Sequence, residues 1–115
     1  MDNQLREEIT RLHAQICAGL ADSNRIMILY ALTECTCNVS DLARRVGLPQ
    51  PTVSRHLKIL RERGLVEARR DAQSVYYKVS DDRIIQALDM LRAVMTDRLT
   101  DRATLVRTAR ETLFS

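Results

Sequence analysis

The sequence predicts a mainly α-helical domain carrying one small β-hairpin. Three observations lead there. Apolar residues recur at spacings of three and four through most of the chain, the period of a helix face. Only three glycines and two prolines punctuate it, so the elements are tightly joined. One segment, Val75 to Ser80, switches to alternation: Val75, Tyr77 and Val79 lie on one side and Tyr76, Lys78 and Ser80 on the other, the period of a strand.

In order, the first helix is expected from about Asn3 to Leu20, with Leu5, Ile9, Leu12, Ile16 and Leu20 drawing one stripe. Asp22 or Ser23 caps a second helix that ends near Glu34 and turns Ile26, Leu29 and Leu32 inward. Asn38, with an acidic residue three positions on at Asp41, resembles a capping box for a third. Val39, Leu42, Ala43 and Val46 form its stripe, and Gly47 ends it. Leu48-Pro49 turns the chain, and Gln50-Pro51 opens a fourth helix with proline at the first helical position, where a missing N–H costs nothing. Val53, Leu57 and Leu60 face inward and Gly64 closes it. Two short helices joined by a tight turn make a helix-turn-helix unit over about 38–64.

Strands from Leu65 to Arg70 and from Val75 to Ser80 then form a hairpin, a wing over about 65–80. A long helix follows from Asp81 and Asp82, with acidic groups at its positive end and Ile84, Leu88, Leu91, Met95 and Leu99 as its stripe. The tail from Thr100 to Phe114 is also expected to be helical, continuous or after a break. A chain of 115 residues is read as a single winged helix-turn-helix domain spanning 1–115.

Composition narrows the function. The longest apolar run, Ile26 to Leu32, has seven residues, against about 20 for a membrane span. The charged N-terminus MDNQLREE lacks the apolar stretch of a secretory signal, so a cytoplasmic protein with no membrane partner is expected. Three cysteines are too few for a disulfide framework and in a reducing compartment should be free thiols. There is no Ser/His/Asp order, no H-E-x-x-H and no phosphate-binding glycine loop, so no enzyme and no small-molecule substrate are expected. Charge is unevenly spread. Arg44 to Lys78 hold nine basic and three acidic residues, against nine and twelve elsewhere. Such a cluster is the electrostatic footprint of a phosphate-binding surface.

The outward positions of the fourth helix suit that surface. Gln50, Thr52, Ser54, Arg55 and Lys58 are side chains that reach base edges and phosphates. Arg69 and Arg70 flank the hairpin tip and could grip the backbone or the minor groove.

The stretch N-V-S-D-L-A-R-R-V-G-L-P-Q-P-T-V-S-R-H-L-K-I-L-R-E-R-G-L-V-E-A-R-R resembles the core of the ArsR/SmtB family of winged helix-turn-helix repressors. G-L-A-D-S-N-R-I-M-I-L-Y before it and V-Y-Y-K-V-S after it also fit, so the resemblance covers roughly Ile16 to Leu99. It implies a homodimer built from the first and last long helices, about 3–20 and 81–99. Leu5, Ile9, Leu12, Ile16, Ile84, Leu88, Leu91 and Met95 are then the interface candidates. It implies a repressor of operator DNA that an inducer releases, and it gives His56 a structural or DNA-contacting role.

Cys35-Thr36-Cys37 resembles the C-x-C of the family's arsenic and cadmium sensors, except that Cys37 lies in the loop four residues before Asp41. Thiolates bind soft ions and are also the reactive form of sulfur. The first expectation is a soft-metal sensor taking arsenite or cadmium; the alternative is a redox or reactive-sulfur sensor using the same pair. An architectural DNA binder without inducer ranks below both. Cys37 precedes a helix N-terminus, whose partial positive charge favours a thiolate. Helical rise places Cys17 and Cys35 roughly 12 Å out of step, so Cys17, with His13 on the same face, could join the site within one chain only through a bend, or else from a partner chain. The plain reading of Cys17 is a small buried hydrophobe.

Overall fold

A computed structural model describes residues 1–114. The chain opens with α1 (Asn3–Leu12), a π-wound turn (His13–Cys17), α2 (Ala18–Leu20) and α3 (Ser23–Glu34). Side-chain caps set both starts: Asp2 accepts the Gln4 N–H at 3.2 Å and Asp22 the Asn24 N–H at 2.8 Å. The expected unbroken α-helix to Leu20 is therefore corrected at its middle. The run stays helical, but one turn is wider. Inside the wide turn the Arg63 guanidinium donates to the Ala14 carbonyl, an outside donor of the kind found where a helix ladder is interrupted. Beyond it, at the end of the run, Arg25 donates to the carbonyls of Gly19 (2.6 Å) and Ala18 (3.1 Å), in the last turn, where carbonyls lack i→i+4 donors.

The core is assembled around α3. Ile28, Leu29 and Leu32 of α3, Leu42 and Ala43 of α4 (Val39–Val46), and Val53, Leu57 and Leu60 of α5 (Gln50–Glu62) are all buried, together with Leu65 and Val66. The helical positions among these are ones that the spacing picks out, except that Ile28 rather than Ile26 is the deeply buried isoleucine of α3, and the expected Val39 and Val46 of α4 are only half-buried. Two left-handed glycines end α4 and α5. Gly47 has φ 70° and Gly64 φ 73°. At each, the next residue's N–H reaches back five positions, Leu48 to Ala43 at 3.2 Å and Leu65 to Leu60 at 2.8 Å, so the last carbonyls are satisfied as the chain turns.

β1 (Val66–Asp71) and β2 (Ser74–Val79) pair antiparallel, from Val66↔Val79 to Asp71↔Ser74. Each strand is displaced by about one residue from its expected bounds, because pairing continues to a two-residue turn at Ala72-Gln73. Ala72 takes φ 55°, left-handed backbone that a two-residue hairpin requires and that alanine adopts at a cost. The last helix, α6 (Asp82–Phe114), runs 33 residues without a break, which settles the tail as a continuation. The chain divides into two compact units, 1–82 and from Arg83 onward.

Gly19 shows how tightly the first unit is closed. A Cβ there would lie 2.7 Å from Cδ1 of Leu65 and 3.4 Å from Cγ of Arg63, and Leu65 is buried. We expect Gly19→Ala to lower unfolding free energy by about 1–2 kcal/mol, since overpacking outweighs the helix propensity that alanine adds. Equilibrium urea unfolding checks this; an unchanged midpoint would show that Leu65 has room to move.

Candidate nucleic-acid interface

The burial of Val53, Leu57 and Leu60 fixes the rotation of α5 and so decides which side chains look outward. Gln50, Ser54, Arg55 and Lys58 are exposed; Thr52 and His56 are half-buried. Arg55 donates a long 3.5 Å hydrogen bond to the Thr52 hydroxyl, a loose tether that leaves the guanidinium free to turn. Nδ1 of His56 is shielded from solvent and has no hydrogen-bond partner among the described residues. Arg69 and Arg70 are both exposed, opposite Tyr76 and Val75. As neighbours on a strand they project from opposite faces of the hairpin, so the two cannot serve one surface equally.

Among the described residues no ion pair engages Arg55, Lys58, Arg69 or Arg70, whereas Lys78 faces Glu67 at 3.6 Å. Two residues on this face were not singled out from the sequence. Arg61 and Tyr77 join Ser54, Leu57, Lys58 and Glu62 around a cleft of about 420 Å³ between α5 and β2. Ser54, Lys58 and Arg61 are spaced by four and three, so helical periodicity contained the Arg61 signal.

The two thiols expected at Cys35 and Cys37 are instead joined as a disulfide, with Cα atoms 5.7 Å apart. Cys35 adopts extended backbone (φ −159°, ψ 157°) as α3 ends. The 5.7 Å separation of the Cα atoms lies within the span that a disulfide bridges, and it is shorter than two fully extended residues would give. Cys37 is almost wholly buried and Cys35 half-buried beside a cleft lined by Asp41, Arg44 and Arg45. Two bonds anchor this loop. Asn38 accepts the Asp41 N–H at 2.9 Å and starts α4, while the Cys37 carbonyl accepts the Tyr77 N–H at 2.9 Å, an isolated antiparallel bridge to the wing. Asp41 is ion-paired with Arg44, and Arg45 with Glu34 at 3.2 Å.

Cys17 is a free, exposed cysteine, which corrects its reading as a buried hydrophobe. Within one chain, no three His, Cys, Asp or Glu side chains come together as a metal-binding group among the described residues. Of the interface candidates, Leu5, Ile9, Leu12, Ile16, Leu91 and Met95 are exposed; Leu88 is buried and Ile84 half-buried. No helix among the described residues is long and apolar enough to cross a membrane.

A recognition helix set by a buried leucine stripe, a preceding helix joined to it by a glycine turn, and a two-stranded wing define a winged helix-turn-helix protein of the DNA-binding class. Residues 22–68 match the family described as bacterial regulatory protein, arsR family. The nodulation protein NolR of Rhizobium meliloti is 36% identical over 92 residues, covering 80% of this chain and 75% of NolR. The homodimeric winged helix-turn-helix DNA-binding domain of a possible ArsR-family regulator from Mycobacterium bovis superposes with a TM-score of 0.74 at 25% identity, over 86% of this chain and 91% of that one. The transcriptional repressor BigR of Xylella fastidiosa gives 0.68 at 29% identity, over 82% and 96%. The chain belongs to the arsR family of bacterial regulatory proteins. It is a transcription regulator and not an enzyme.

Proposed function

We propose that the protein is a homodimeric, cytoplasmic repressor of a specific operator, and that the Cys35–Cys37 pair sets its affinity for DNA. The observation that carries this is the placement of the pair. One sulfur is accessible and the other buried, in a loop that both caps the first helix of the reading head and is bonded to the wing. Oxidation removes two electrons and two protons from the two thiols, which an oxidant accepts, and closes the disulfide. The reduced form holds the operator and the disulfide form leaves it. Gln50, Thr52, Ser54 and Arg55 read base edges, with His56 at the margin of that face, while Lys58 holds phosphates together with Arg69 and Arg70, each from its own face of the hairpin. Dimerisation covers the exposed apolar side of α1, which buries none of its own residues, and of α6.

A second reading takes the reduced pair as a two-sulfur clamp for a thiophilic ion such as arsenite or cadmium. The free, exposed Cys17 favours it, since a third sulfur could come from the partner chain.

The test is a binding titration by fluorescence anisotropy on the protein's own promoter fragment and on scrambled DNA. The reduced protein should prefer the promoter, and diamide should weaken binding by about tenfold or more, within the usual range of allosteric coupling. Cys35→Ser with Cys37→Ser should stay bound under oxidant. Release by arsenite of reduced, metal-free protein would move the assignment to the ion. If oxidant and ions release the double variant as readily as the wild type, the pair is not the sensor.

A further inference from the structure

Tyr77 belongs to two surfaces at once. Its N–H is donated to the Cys37 carbonyl at 2.9 Å, bridging the thiol loop to β2, and it lines the cleft under α5 with Ser54, Lys58 and Arg61. Across the wing its Cα partner is Ala68, yet its N–H is spent on the loop. Thr36, between the two cysteines, shares a further cavity with Arg69, Asp71, Tyr76 and Lys78. The thiol loop therefore lies along the free edge of β2 as a one-residue third strand.

We infer that Tyr77 is the positioning residue through which the state of the Cys35–Cys37 pair reaches the DNA-facing surface. This rests on the sensing role proposed above. A disulfide spanning one residue closes a small ring that restrains the backbone of 35–37 and so aims the Cys37 carbonyl. Reduction opens the ring, and three residues regain backbone freedom. The bond to Tyr77 then opens more often, the outer edge of β2 is released, and the ring of Tyr77 can shift against Ser54 and Lys58. The coupling is local: a joint between two elements whose populations both the sulfurs and the operator can bias.

Two measurements on the full chain decide it. In the first, amide hydrogen exchange is compared between disulfide protein and protein reduced with dithiothreitol, without DNA. The Tyr77 amide should exchange about tenfold or more faster when reduced, as a locally opened bond does. The Leu65 amide, bonded to Leu60, should not change and serves as the internal control. Equal Tyr77 exchange in both states overturns the inference.

In the second, the ratio of reduced to oxidised operator affinity is measured for Tyr77→Phe and Tyr77→Ala after circular dichroism confirms folding. Phe should keep the ratio; Ala should bring it to within about threefold of one, whatever its absolute affinity, as loss of coupling requires. Retention of the full ratio by Ala overturns the inference. If Ala does not fold, the exchange experiment decides alone. Absence of any ratio in the wild type would defeat the sensing role, whereas the Tyr77 amide would still report whether the joint responds to the sulfurs.

Discussion

Leu57→Ala should lower unfolding free energy by about 3 kcal/mol or more, the usual cost of emptying a fully enclosed leucine site. Leu57 is 1% exposed on the inner face of α5, flanked along the helix by Val53 and Leu60, each fully buried. The missing atoms lose their transfer free energy and leave a cavity that a rigid three-helix junction cannot fill. The site is also what fixes the rotation of α5, and with it the outward aim of Arg55 and Lys58. Operator binding should thus fall together with stability, and part of it should return at low temperature, where the folded fraction recovers. Urea unfolding followed by circular dichroism gives the first quantity and anisotropy at two temperatures the second. A loss below about 1 kcal/mol would place Leu57 in a site able to collapse.

Arg55→Ala and Lys58→Ala should weaken DNA binding in different ways. Arg55 lies in the first two turns of α5, the part of a recognition helix that meets base edges. Its loss should cost about 1–3 kcal/mol on the operator and much less on scrambled DNA, so specificity relaxes. Lys58 lies further along, beside Arg61 in the cleft under the wing. Its loss should weaken both DNAs alike and reduce the slope of log K against log salt by about one. Titrations at three salt concentrations separate the two patterns. A uniform loss in both variants would reassign Arg55 to the phosphates. Neither change should disturb folding, since both side chains are exposed.

Much of the architecture was legible because it rests on short-range rules. The leucine stripe of α5, the asparagine cap at Asn38 and the left-handed Gly47 and Gly64 each follow from spacing and residue type, and all are present. The capping box at Asn38 was legible only by half, because Asp41 is drawn to Arg44. What escaped was set by distant partners. The π turn takes a donor at Arg63, 49 residues away in sequence from the Ala14 carbonyl it engages. The bond from Tyr77 to Cys37 joins residues 40 positions apart, and no periodicity announces it. The pairing of Cys35 with Cys37 was hidden for a different reason. Two nearby sulfurs look the same in sequence whether oxidised or free, and the backbone across Thr36, which holds the two Cα atoms 5.7 Å apart, decides whether they can meet.

The bare apolar side of α1 has a consequence for how the molecule behaves on dilution. None of the residues of α1 is buried, so the first ten residues of the helical run draw little of their order from packing. Whatever shields that side lends the N-terminus its order, so if a second copy does, winding of the first residues becomes a function of protein concentration. At scarce cellular levels the N-terminal segment would unravel before the reading head does, leaving a folded but solitary head.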